Sequence, residues 1–96
     1  FAERDNPNAL TYTLYALTLL EGDRSLTTRL AGVAIESALE VDDSFAETYL
    51  VRGLYNQQMG RSAQALDDWR YAADLKDAPQ WVVEEAQSLR REYQTP

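Results

Sequence analysis

When residues 65–77 are slid back 34 positions along the chain, a run of side chains falls into register: Ala65 on Ala31, Trp69 on Ile35, Ala72 on Ala38, Leu75 on Val41 and Asp77 on Asp43. A repeat of this length is one supersecondary unit, too small to bury its own apolar face. Its copies must therefore stack and share a core. The spacing inside each copy is helical, since positions three, four and seven apart lie on one face. Small residues seven apart occur in many helices, so an ordinary five-helix bundle is the competing architecture. The number of pairs held in a single register favours the repeat.

Breaks between the periodic stretches divide the chain into five helices. Asp5-Asn6-Pro7-Asn8 is a helix-start signal, because short polar side chains cap free N–H groups and proline fits the first turn. A first helix is expected from about Asn8 to Glu21, and Gly22-Asp23-Arg24-Ser25 interrupts it. A second, with Leu26, Leu30, Val33, Ala34, Ala38 and Val41 at spacings near three and four, is expected to reach Val41. Asp42-Asp43-Ser44 is expected to close it and cap a third helix, about Phe45 to Met59, ended by a left-handed Gly60. Ser62 opens a fourth that runs to about Lys76. After Asp77-Ala78-Pro79 a fifth runs to about Tyr93, with Trp81, Val82, Ala86, Leu89 and Tyr93 on one side. No stretch alternates as a half-buried strand does, so the expected fold is all-α. One domain is expected over 1–96, with a hairpin over 8–41, a second over 45–76 and a closing helix over 79–93.

The stretch Ala46 to Pro79 resembles the tetratricopeptide repeat (TPR) family. Tyr49 stands for that family's first large aromatic, Gly53 for the small residue that lets two helices approach, Gly60 for the turn glycine, and Ala65, Trp69 and Ala72 for its small-large-small series. Arg52 and Asn56 depart from the pattern, where leucine and an aromatic are usual, and Asp77 stands where proline is frequent. In the first unit Gly22 matches Gly60 at an offset of 38, which makes the inter-helix turn about four residues longer and drops Tyr15 where Gly53 sits. The resemblance implies an α-solenoid of two helical hairpins plus a C-terminal capping helix.

That resemblance further implies a concave groove, lined by the first helix of each pair, that takes a peptide or helix of a partner protein. Carried over position by position, the groove is lined by Glu47, Leu50, Leu54, Gln57 and Gln58 of the third helix and by Glu84 and Ser88 of the fifth. At the longer offset Tyr12, Ala16 and Leu19 of the first helix join them. Leu50 and Leu54 have a second reading as plain core residues. With leucines in those places and Glu84 on the fifth helix, capture of a carboxyl terminus by basic side chains is disfavoured.

The two ends of the expected array differ. Opposite its apolar stripe the fifth helix carries Glu84, Glu85, Gln87, Ser88, Arg91 and Glu92, the polar outer face a terminal cap needs. Apolar residues surround the first helix, from Leu10 to Leu20 with only threonines between them. This end is therefore expected to meet a missing upstream helix, a partner, or a second copy in a homodimer.

Composition then removes whole classes of function. The chain has no histidine and no cysteine, so it lacks the commonest general base near neutral pH, disulfides and thiolate metal sites. No cofactor or metal is expected, and the chain reads as a non-enzyme. A net charge of -7 repels nucleic acid and anionic membrane surfaces. No apolar stretch approaches the ~20 residues a membrane span needs, so the chain reads as soluble, with the cytoplasm as default and no compartment assigned. Asp42-Asp43 and Asp67-Asp68 are paired carboxylates, expected to be solvated. Because it begins at Phe1, the chain is expected to be a piece of a longer repeat protein or a processed product. Its function is read as protein–protein interaction, with a structural or self-associating domain as the alternative.

Overall fold

The computed structural model describes residues 9–21 and 25–94. It contains five α-helices: α1 (Ala9–Leu20), α2 (Ser25–Val41), α3 (Ala46–Gln58), α4 (Ser62–Asp74) and α5 (Gln80–Gln94). Among the described residues there is no strand, so the fold is all-α as the sequence suggests. Asp5 to Asn8 and Gly22 to Arg24, read as a start signal and a break, lie outside the described residues.

Each helix packs on its neighbours in the chain, and α3 also touches α1 and α5, while α1 and α2 make no contact with α4 or α5. The thinnest dimension is 17 Å between Cα atoms, enough for two layers of helices about 8–10 Å apart. One layer is α1, α3 and α5, side by side, and the other is α2 and α4, which do not touch each other.

The turns have local causes. Gly60 has φ +80°, and α3 ends in a paired motif in which Arg61 N–H donates to Asn56 O at 2.8 Å and Gly60 N–H to Gln57 O at 3.1 Å. Pro79 precedes α5, and its carbonyl accepts from Val83 N–H at 3.1 Å. The loop Asp42-Asp43-Ser44 acts differently from expectation. Phe45, with no side-chain cap, is the residue before α3. Asp42 Oδ1 instead accepts from Ser44 N–H at 3.0 Å and Ser44 Oγ–H at 2.8 Å, folding the loop on itself, and the Tyr49 hydroxyl donates to Asp43 O and ties that loop to α3.

Two buried clusters meet at α3. Ala16, Leu20, Ala31, Ala34, Ile35 and Val51 join α1, α2 and α3. Tyr49, Leu50, Trp69, Ala72, Val82 and Ala86 are central to the second, between α3, α4 and α5. Leu39 and Leu54 are half-buried and pack on both. Of the pairs related by 34 residues, Ala31/Ala65, Ile35/Trp69 and Ala38/Ala72 are all buried, whereas Asp43 and Asp77 are exposed and Val41 is exposed where Leu75 is half-buried. Leu30 and Val33, part of the apolar spacing of α2, are exposed.

Candidate binding groove

Three helices of one layer enclose an apolar depression of about 260 Å³. From α1 it is lined by Leu10, Thr13, Leu14 and Leu17, from α3 by Glu47, Leu50, Val51 and Leu54, and from α5 by Trp81 and Glu85. The linings of α1 and α3 correspond one to one at an offset of 37 residues: Leu10 with Glu47, Thr13 with Leu50, Leu14 with Val51 and Leu17 with Leu54. Those of α3 and α5 correspond at 34, Glu47 with Trp81 and Val51 with Glu85. Each helix therefore turns the same side to the depression. Thr13 contributes little polarity, since its hydroxyl is buried and hydrogen-bonded to Thr48 Oγ1 at 2.8 Å, a tie between α1 and α3. The polar side chains left on the walls are the two glutamates. Leu14 and Trp81 are more than half exposed, at 52% and 55%.

Of the residues expected here, Glu47, Leu50 and Leu54 line the depression and the others lie elsewhere. Ala16 is wholly buried, and half-buried Leu19 packs on the α1–α2 cluster. Tyr12 lies in a shallower hollow between α1 and α2, with Tyr15, Leu30 and Val33. The reason is a slip of one residue in the offset, 37 instead of 38, which turns a helix face by about 100°. At 37, Ala16 falls where Gly53 sits and Tyr12 where Tyr49 sits, a small-residue match the sequence carried all along. Gln58 reaches the other way: its Nε2 donates to Leu20 O at 3.0 Å and its Oε1 accepts from Thr28 Oγ1 at 3.3 Å. Half-buried Gln57 has a buried Oε1 with no hydrogen-bond partner. Glu84 accepts from Gln80 Nε2 at 3.2 Å and, like Ser88, is exposed outside the depression. On the outer face of α5, Glu84, Gln87, Ser88, Arg91 and Glu92 are exposed as expected, but Glu85, expected with them, lines the depression.

A larger cleft of about 650 Å³ opens on the opposite side, where α2 and α4 part over α3. Its floor holds a polar network around Asp68, which is 5% exposed. Asp68 Oδ1 accepts from Arg52 Nε at 3.1 Å and Nη2 at 2.7 Å, and Oδ2 accepts from Asn56 Nδ2 at 2.7 Å. Asn56 Oδ1 accepts in turn from Arg61 Nη1 at 3.2 Å. Its hydrogen bond to Asp68 raises the Arg52 guanidinium above its ordinary pKa, against the opposing cost of burial. Burial pushes the Tyr49 phenol up as well, ahead of the effect of neighbouring Tyr71. Asp67 is solvated and 3.6 Å from Arg70, as expected, but Asp68 is a buried ion-pair member, which corrects the reading of both as solvated. The departures Arg52 and Asn56 thus have one common cause, since both satisfy this carboxylate. The network spends the donors and acceptors of Arg52, Asn56 and Asp68 internally, while Arg29, Glu36 and Gln64 also line the cleft, which is therefore polar where the smaller depression is apolar.

Among the described residues no three Asp or Glu side chains are grouped to hold a metal ion. Among the described residues no helix is long and apolar enough to cross a membrane. No family model, curated protein or solved structure matches the chain.

Proposed function

We propose that this chain is a TPR-like solenoid of two hairpins and a closing helix that binds an apolar segment of another protein along α1, α3 and α5. The observation that carries the reading is the correspondence of groove residues on alternate helices, all four of α1 with those of α3 at an offset of 37 and both of α5 with two of α3 at 34. A repeated unit that turns the same face to one depression three times makes a continuous surface, the architecture by which solenoids hold extended or helical ligands. At about 260 Å³ the depression falls just below the roughly 300–1,000 Å³ of small-molecule sites, and its open, apolar walls suit a few anchoring side chains better than an enclosed ligand. In this reading the chain has no chemistry of its own and works as an interaction module.

Peptides selected from a displayed random library against the chain test this. They are expected to compete for one site, to change the emission of exposed Trp81 while buried Trp69 stays constant, and to lose binding on Leu14→Arg, at an exposed groove residue, with helicity retained. Peptides that protect the hollow at Tyr12 and Tyr15, or the α2–α4 cleft, would sink the proposal.

One observation favours a second reading, a self-associating domain. Leu10, Leu14 and Tyr15 of α1 and Val33 of α2 are exposed, a large apolar content for one edge. Leu14 lines the groove and so discriminates poorly. Tyr15 and Val33 lie outside it, and a dimer seen by light scattering that dissociates on Tyr15→Glu or Val33→Glu, with peptide binding retained, would support this reading.

A further inference from the structure

The groove is not chemically uniform from one helix to the next. Its α1 wall is Leu10, Leu14 and Leu17 beside the engaged hydroxyl of Thr13, whereas the corresponding places on α3 and α5 include Glu47, Trp81 and Glu85. Trp81 and Glu85 are four residues apart and so share one face of α5. Among the described residues neither Glu47 nor Glu85 has an ion-pair partner, although Glu47 is half-buried beside apolar side chains. A carboxylate without a counter-charge at the edge of an apolar surface is well placed to receive a cation. The indole face of Trp81 would receive the same cation. One effect opposes this, since the N-terminal ends of α3 and α5 lie close by, each worth about half a positive charge. Two full negative charges outweigh it, and Glu47, in the first turn of α3, already offsets one of those ends.

Resting on the peptide-binding reading above, we infer that the groove selects a segment with apolar side chains for the α1–α3 part and a lysine or arginine for the end formed by Glu47, Trp81 and Glu85. The occupant is a cationic amphipathic stretch of another protein, complementary to a chain of net charge -7.

Three synthetic helical peptides test it, each with leucines at positions i, i+3, i+4 and i+7 and flanking positions filled by lysine, glutamine or glutamate. Trp81 emission reports occupancy, because Trp69 is wholly buried. The lysine peptide is expected to bind at least tenfold tighter than the glutamine peptide, and the glutamate peptide weakest. Glu85→Gln and Glu47→Gln should each erase most of that preference. Glu36→Gln with Glu40→Gln, which removes twice the charge of either from exposed positions on α2, should leave it. Glu85 is exposed on α5, so its substitution stays informative if Glu47→Gln weakens the fold. Equal binding of the lysine and glutamine peptides would overturn the charge inference and leave the groove reading standing. Loss of preference in the α2 variant would reduce it to net charge and overturn it also. If no peptide perturbs Trp81, the groove reading itself falls.

Discussion

The hairpins α1–α2 and α3–α4 bury corresponding positions with different chemistry. In the second, Trp69 is wholly buried against Gly53, and its Nε1 donates to Leu50 O at 3.1 Å. A Cβ on Gly53 would stand 2.1 Å from that nitrogen. In the first, the same two places hold Ile35 and Ala16, both buried in one cluster. A smaller side chain on one helix admits a methyl on the other, so the two positions are set jointly. The polar network follows the same rule. Arg52, Asn56 and Asp68 correspond to Tyr15, Leu19 and Ala34, at offsets of 37 on the first helices and 34 on the second. One hairpin fills these places with a closed set of charges and amides. The other is apolar there and leaves Tyr15 55% exposed. A single packing geometry thus accepts either solution, provided that all members of a set change together.

The strongest way to break this comparison is Gly53→Ala. The added methyl cannot coexist with the indole as placed, and overpacking a buried site costs about 3 kcal/mol, a large part of the about 5–15 kcal/mol that holds a small domain folded. In a Trp69→Ile background, which imports the first hairpin's solution, the same methyl should cost less than about 1 kcal/mol. Urea denaturation of the four proteins in the cycle measures both, and additive costs would mean that the pairing is fortuitous. Next comes Asp68→Ala, which strands Arg52 and Asn56. Loss of one partner from a fully buried pair costs roughly 3–5 kcal/mol. The Arg52 side chain is 37% exposed, so water recovers part of it and about 2 kcal/mol is expected. Replacing the whole set by its counterparts, Arg52→Tyr with Asn56→Leu and Asp68→Ala, should fall within about 1 kcal/mol of the native chain. A triple variant worse than Asp68→Ala would show that the network is specific to the second hairpin.

Between the hairpins, Thr13→Val should cost about 1–2 kcal/mol, because it leaves the buried Thr48 hydroxyl without its partner. Thr13→Val with Thr48→Val should cost less than the single change, since no buried donor remains unpaired. Chemical denaturation again decides, and a double variant less stable than both singles would assign the two threonines a packing role instead.

The helical elements were legible because their signals are local: a period near 3.6, the turn residues around Gly60, the proline before α5. The buried alanines and the Ile35/Trp69 pair were legible because the repeat lies within one sequence and needs only to be slid against itself. What failed was register. Gly22 was matched to Gly60 by identity, yet the match that orients α1 is Ala16 to Gly53, decided by contact across the hairpin and hidden in one dimension. One residue's error in the offset put Tyr12 and Ala16 where Thr13 and Leu17 line the groove. The depth of Asp68 was illegible for a related reason. A paired Asp67-Asp68 looks solvated until Arg52 and Asn56, 16 and 12 residues upstream, arrive beside it.

The smallest effect expected is at the turn of the second hairpin. Gly60→Ala is the same substitution as Gly53→Ala with the opposite cause, because a Cβ at Gly60 meets nothing within 4 Å and only its φ of +80° matters. A left-handed alanine costs about 1–2 kcal/mol. Against this, replacing glycine reduces the entropy of the unfolded chain and returns about 0.4–1 kcal/mol, so a net loss of about 0.5–1 kcal/mol is expected. Asparagine separates the two causes. It tolerates the left-handed region better than alanine, so Gly60→Asn should be milder than Gly60→Ala. At Gly53 the order must reverse, because the larger side chain meets the same indole. Urea midpoints for the four variants give both orders. The same order at both sites would mean that Trp69 yields to a neighbouring side chain, and that close approach is not what separates the second hairpin from the first.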